Sequence, residues 1–134
     1  MLPVTVDTVR VFLHVLAATV WVGGQLTLLA LLSLLRQLPD DAAKRAARRF
    51  NRVAWPAFGV LVLTGAWGLF RGDVASAPAP YHATLGLKLT LVVLSGVTVA
   101  VHVRARSKLW LALGGALGLL CSLGALFVGV LLSR

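Results

Sequence analysis

Three histidines and one lysine within apolar surroundings are the side chains in this sequence best suited to chemistry. His14 lies inside a long apolar run and is followed at helical spacing by Trp21 and Gln25. An imidazole can bind a metal or carry a proton, and ionisable groups inside a membrane span are rare and often functional. We therefore expect His14 to be a ligand or a proton-handling group; a structural, hydrogen-bonded histidine is the alternative.

A polar stripe runs along a later apolar segment. Its members are Thr84, Lys88, Ser95, Thr98 and His102. Their offsets place them on one helical face, which in a membrane turns toward other helices rather than lipid. Lys88 is then either a snorkelling cation or an anchor for an anionic group such as a cofactor carboxylate.

We expect one pocket to form in the outer half of the membrane. His14 and Lys88 lie at similar distances along the sequence from the outer ends of their spans, so both should line it, with Trp21 and Trp67 as walls. His82 would lie at its mouth as a second metal ligand. His102, near the opposite end of its span, is expected to be an interfacial residue.

Composition restricts the class of protein. Of 134 residues, 59% are hydrophobic and 13% charged, against about 25% charged in an average soluble domain. A soluble enzyme or a free nucleic-acid binder is therefore excluded. The sequence has no glutamate and four aspartates, which leaves little for paired-carboxylate catalysis, and its single cysteine, Cys121, rules out an internal disulfide.

Four apolar runs are long enough to cross a bilayer, which takes about 20 residues. They cover residues 9–35, 53–70, 83–103 and 109–132. They predict an all-α integral membrane protein, a four-helix up-down bundle in a single domain over residues 1–134. The first run is expected to be a retained span rather than a cleaved signal peptide. Gly114 and Gly118 form a small-residue packing face on the last span.

The charges predict an orientation. The net charge is +9, and most basic residues fall in the link 36–52 and in the link between the third and fourth spans. By the positive-inside rule these links face the cytoplasm, with both termini outside, in the inner (plasma) membrane. The link 36–52 is expected to form an amphipathic helix from about Asp40 to Asn51, capped by Asp40, on anionic lipid rather than nucleic acid.

Several short motifs follow one another in a characteristic order. His14 precedes Trp21-Val22-Gly23-Gly24, then come the segment Arg48–Ala54, the pair Thr64-Gly65 and the triplet Leu87-Lys88-Leu89. This order resembles the membrane domain of the copper resistance protein D (CopD) family, over residues 10–106. The resemblance implies copper binding or transport. We expect His14 and His82 to be the residues that would hold a copper ion. A weaker similarity to HemJ-type protoporphyrinogen oxidase implies haem b and a membrane oxidoreductase.

Ligand chemistry leaves these alternatives open. Copper(I) prefers thiolate and thioether ligands, and the chain has one Met and one Cys, whereas imidazole suits both copper and haem iron. A haem would take His14 as an axial ligand, with Lys88 or an arginine holding its propionates. A third alternative is a non-catalytic subunit of a larger membrane complex or a homo-oligomer. Whether the chain is an enzyme is left open, with a non-enzyme preferred.

Overall fold

The computed structural model describes residues 3–133, and these residues form an all-α protein, as the sequence predicts. Its four long helices are α1 (Val6–Gln37), α2 (Ala42–Arg71), α3 (Ala79–Arg104) and α4 (Lys108–Leu132). Besides them the described residues contain one short 3₁₀ turn, Val74–Ser76, and no strand. All four helices are long and apolar enough to span a membrane, so the chain is a multi-pass membrane protein.

The chain forms two compact units, and each unit contains one pair of helices. The first unit ends at Gly72 and contains α1 and α2; the second begins at Asp73 and contains α3 and α4. Short links join the two helices of each pair, which makes them antiparallel neighbours. The single domain over 1–134 stays a prediction.

The helix α2 joins two segments that are expected to form separate helices. An amphipathic helix over 40–51 and a span over 53–70 are expected, but one helix runs from Ala42 to Arg71. Its basic half is rich in Ala, Lys and Arg, which are good helix formers. Pro56 lies inside the helix, where it removes one backbone hydrogen bond without ending the helix.

The start of α2 also differs from expectation, because Asp40 does not cap it. Asp41 is the residue before the first turn, and its side chain makes no capping hydrogen bond. Asp40 and Asp41 both adopt left-handed backbone conformations, with φ of 59° and 52°. Aspartate tolerates this conformation better than most residues. The Asp41 carboxylate instead lies 3.6 Å from Lys44 Nζ.

Small or polar side chains make up most of the buried positions, and most large apolar side chains other than Trp21 are partly or fully exposed. Ala17, Trp21 and Ala54 are buried in the first unit, and Ser95 and Ser122 in the second. Phe70, by contrast, is 89% exposed and Phe127 is 65% exposed. Apolar surface on this scale is unfavourable in water and favourable in hydrocarbon, which agrees with a bilayer environment.

Candidate functional site

A hydrogen bond joins His14 of α1 to Thr64 of α2. The distance from His14 Nδ1 to Thr64 Oγ1 is 2.8 Å. The Thr64 hydroxyl has one proton, which it donates to the backbone oxygen of Val60 at 2.7 Å. The Thr64 oxygen therefore accepts, and Nδ1–H of His14 donates. In a neutral ring with this tautomer, Nε2 carries the lone pair that binds metals.

Two glycines on α2 make room for the α1 side chains at this point. A Cβ at Gly65 would lie 3.3 Å from Cε1 of His14, and a Cβ at Gly68 would lie 2.7 Å from Nη1 of Arg10. The sequence Thr64-Gly65-x-x-Gly68 therefore provides a hydroxyl and two gaps along one side of α2. A larger side chain at Gly65 would displace the imidazole.

Arg10 is a second polar residue of this site and lies one turn before His14. Its Nε donates to Asp7 Oδ1 at 2.7 Å, and its Nη1 donates to the backbone oxygen of Thr64 at 3.4 Å. The side chain of Arg10 is 18% exposed and that of Asp7 is 53% exposed. Arg10 is thus a fixed cation beside the residue that orients His14.

Arg10 has no role among the predictions from sequence, and the contact between Thr64 and His14 is not among them either. A local signal existed for Arg10, because it precedes His14 by four residues and shares its helical face. The pair Thr64-Gly65 followed by Gly68 is the corresponding signal on α2. Which polar residues meet across two helices is a long-range property that spacing alone does not contain.

Trp21 lies in a π-helical segment of α1, Thr19–Gly23. Its indole is 2% exposed and contacts Phe58 and Trp55, with ring centroids 4.5 Å and 5.5 Å away. The amide of Gln25 donates to the Trp21 carbonyl at 2.9 Å. π-Segments inside α-helices occur frequently at functional sites. The two ring contacts make Trp21 part of an aromatic cluster between α1 and α2.

Trp67 lies almost one turn after Thr64 on α2. The ring is 39% exposed, and the guanidinium of Arg71 lies 6.0 Å from its centroid. This distance is at the outer limit of a cation–π contact. The predicted role of Trp67 as a wall of a pocket stays a prediction.

In the second unit, the polar stripe of α3 meets the glycine face of α4. Ser95 and Ser122 share a hydrogen bond of 2.8 Å between their hydroxyls. A Cβ at Gly129 would lie 3.3 Å from Lys88 Nζ, and one at Gly118 would lie 3.3 Å from Thr98 Oγ1. The stripe thus faces a helix, as predicted, and the small residues of α4 form a packing face, also as predicted.

The two other histidines differ in environment. His102 donates from Nδ1 to the backbone oxygen of Leu111 at 2.6 Å, which joins the C-terminal end of α3 to the first turn of α4. His82 is exposed in the first turn of α3, and its ring lies edge-on to Tyr81, with 6.3 Å between centroids. The expected pairings of His14 with His82 and with Lys88 join different units and stay predictions.

Donor atoms for a bare metal ion are sparse. Within residues 3–133, no group of three or more His, Cys, Asp or Glu side chains is placed to hold a metal ion. Cys121 is half-buried in the second unit. The first unit therefore offers one imidazole held in a defined tautomer, together with a cation and an aromatic cluster.

No family model matches the chain, and no match was found among curated proteins or solved structures.

Proposed function

We propose that the chain is a membrane protein that binds a metal centre through Nε2 of His14. The observation that carries this proposal is the hydrogen bond from His14 Nδ1 to Thr64. Histidines that ligate metals almost always donate their other ring N–H to a nearby acceptor, which fixes the tautomer and the ring orientation. Thr64 is this acceptor for His14, and Gly65 leaves space for the ring.

Haem b is the centre that fits the available donors best. A haem brings four nitrogens of its own and needs only one or two axial ligands from the protein. A bare copper ion relies on several protein donors, preferably soft ones in its reduced state. His14 would bind the haem iron, and Arg10 would hold the propionates. Haem, when bound, supplies one-electron redox chemistry.

Under this proposal the surrounding residues have defined tasks. Thr64 keeps the His14 ring in one tautomer, and Arg10 places a positive charge about one helical turn away. Trp21 packs against Trp55 and Phe58, which holds the two helices of the unit together. Together these groups orient a ligand and neutralise an anionic group.

Copper handling is the second candidate, and it rests on the resemblance of the motif order to the copper resistance protein D family. The same Nε2 atom would serve as a copper ligand. We place the chain in the inner membrane, with the links 36–52 and 105–107 on the cytoplasmic side next to anionic lipid.

The proposal is tested by metal and pigment analysis of protein purified in a mild detergent. We expect the wild type to show a Soret band and to contain iron, and H14Q to lose both. The matched control is H102Q, since His102 is also a hydrogen-bonded histidine within a span, and it should keep its pigment.

Three other results of the metal and pigment measurements would contradict haem ligation by His14. Copper without iron in the wild type, lost in H14Q, supports the second candidate. Folded protein that takes up neither copper nor haem on titration supports a non-catalytic subunit. Equal pigment in the wild type and H14Q removes His14 from the site.

A further inference from the structure

Four arginines lie on one face of the first half of α2. They are Arg45, Arg48, Arg49 and Arg52. Offsets of three, four and seven residues place them on a single helical face. They alone line a cleft of about 180 Å³. We call this set the arginine face.

The charges of the arginine face are not neutralised within the described chain. None of its members forms a salt bridge among residues 3–133, where the two ion pairs are Arg10–Asp7 and Lys44–Asp41. Like charges four residues apart on a helix destabilise it, and the face contains two such pairs, Arg45/Arg49 and Arg48/Arg52. An external anion would remove this repulsion.

Packing on the opposite side of α2 fixes the direction of the arginine face. Ala54 is buried, and the ring of Phe50 occupies the space that a Cβ at Gly24 would take. These contacts seat α2 against α1 and prevent it from rotating about its axis. The four guanidinium groups are therefore presented on the exposed side.

The arginine face ends where the apolar span begins. Arg52 is followed by Val53 and, within one turn, by Trp55, which packs against Trp21. Because α2 is continuous from Ala42 to Arg71, the arginines lie on the same helix as the span, at its basic end. That places them at the depth of lipid phosphates when the span crosses the bilayer.

We propose that the arginine face binds the headgroup of a lipid with two phosphate groups, as in cardiolipin. Guanidinium groups bind phosphate oxygens in pairs, so four of them match two phosphates. The helix rises about 10 Å over the seven steps from Arg45 to Arg52, which is longer than one phosphate. The inference rests on the proposed placement of the link 36–52 at a membrane surface, and it is independent of the metal centre.

The test is lipid titration of the detergent-purified protein, followed by native mass spectrometry. The probes are cardiolipin, phosphatidylglycerol and phosphatidylcholine. Cardiolipin should bind most tightly, and R45Q/R49Q should weaken its binding about 25-fold, about fivefold for each arginine. All four arginines are exposed, so the double variant should fold normally and keep the wild-type metal content.

The matched control is R104Q/R106Q, which removes two exposed charges at the link between α3 and α4, outside the arginine face. It should bind cardiolipin like the wild type. Equal weakening in both double variants would overturn the proposal, because net charge alone would then explain binding. Equal affinity for phosphatidylglycerol would overturn the two-phosphate headgroup.

Two soluble probes test the other sources of phosphate. If inorganic pyrophosphate displaces cardiolipin at equal concentration, the ligand is a free anion and not a lipid. If a single-stranded RNA oligonucleotide binds the wild type more tightly than cardiolipin does, the face is a nucleic-acid site. Wild-type metal content in R45Q/R49Q separates either failure from a failure of the metal-centre proposal.

Discussion

Thr64 determines which nitrogen of His14 carries a proton. Its hydroxyl donates to its own helix at Val60 and accepts from Nδ1 of the imidazole. A valine in this position could do neither. Under the proposed metal centre, this hydrogen bond would orient His14 to act as a ligand through Nε2.

At the scale of single residues, we predict that T64V weakens haem binding while T64S does not. Valine preserves the volume and removes the acceptor for Nδ1–H, and serine keeps the acceptor. Loss of such a partner typically lowers metal affinity about 10- to 100-fold. Absorbance titration of the haem-free protein with haem measures this change. Equal affinity of T64V and the wild type would remove Thr64 from the site.

The sequence identifies His14 and Lys88 as unusual, because ionisable groups stand out in an apolar run. It does not reveal the contact between His14 and Thr64, which lie 50 positions apart. Periodicity describes one helix at a time, so it shows which residues share a face and not which face they meet.

At the scale of elements, close contact between α3 and α4 depends on glycine. A Cβ at Gly114 would lie 2.9 Å from the backbone nitrogen of His102 and 3.0 Å from its Cα. These are backbone atoms, which cannot move without shifting the helix. Gly86 on α3 has nothing within 4 Å of its Cβ position, and it therefore serves as a matched control.

We predict that G114A destabilises the protein and that G86A does not. Overpacking of this kind costs about 1–3 kcal/mol, whereas Gly to Ala at an open helical position stabilises by about 0.5–1 kcal/mol. Thermal unfolding in detergent, followed by circular dichroism, gives the order of the three proteins. A melting temperature of G114A equal to that of G86A would show that α3 and α4 do not approach closely at Gly114.

The positions of the four spans were predictable because hydropathy and helix length are local properties. The polar stripe on α3 and the glycine face on α4 were also visible, but each was visible separately. That Ser95 meets Ser122 and that Gly114 meets His102 follows only from the packing of two helices. The π-segment Thr19–Gly23 left no periodic signal either, since it inserts one residue into an otherwise regular helix.

At the scale of the whole molecule, the four apolar helices leave the basic links as the determinants of orientation. The link 36–52 contains six basic residues against two aspartates, Asp40 and Asp41, whereas the segment 72–78 contains Asp73 and no basic residue. This asymmetry predicts that the segment 72–78 is extracytoplasmic.

Cysteine labelling tests this orientation. In a C121S background, A75C should react with a membrane-impermeant maleimide on intact cells. A105C should react only after the membrane is permeabilised, because it lies in the link between α3 and α4. The reverse pattern would contradict the orientation, and with it the cytoplasmic placement of the arginine face.

Rescue of a cavity variant tests the central claim most directly, namely that His14 binds the metal centre through its imidazole. H14G removes the side chain and leaves space beside Thr64, into which free imidazole can diffuse. We predict that purified H14G lacks the Soret band, that added haem and imidazole together restore it, and that haem alone does not. A Soret band in H14G equal to that of the wild type, or no restoration by imidazole in folded protein, would contradict the claim.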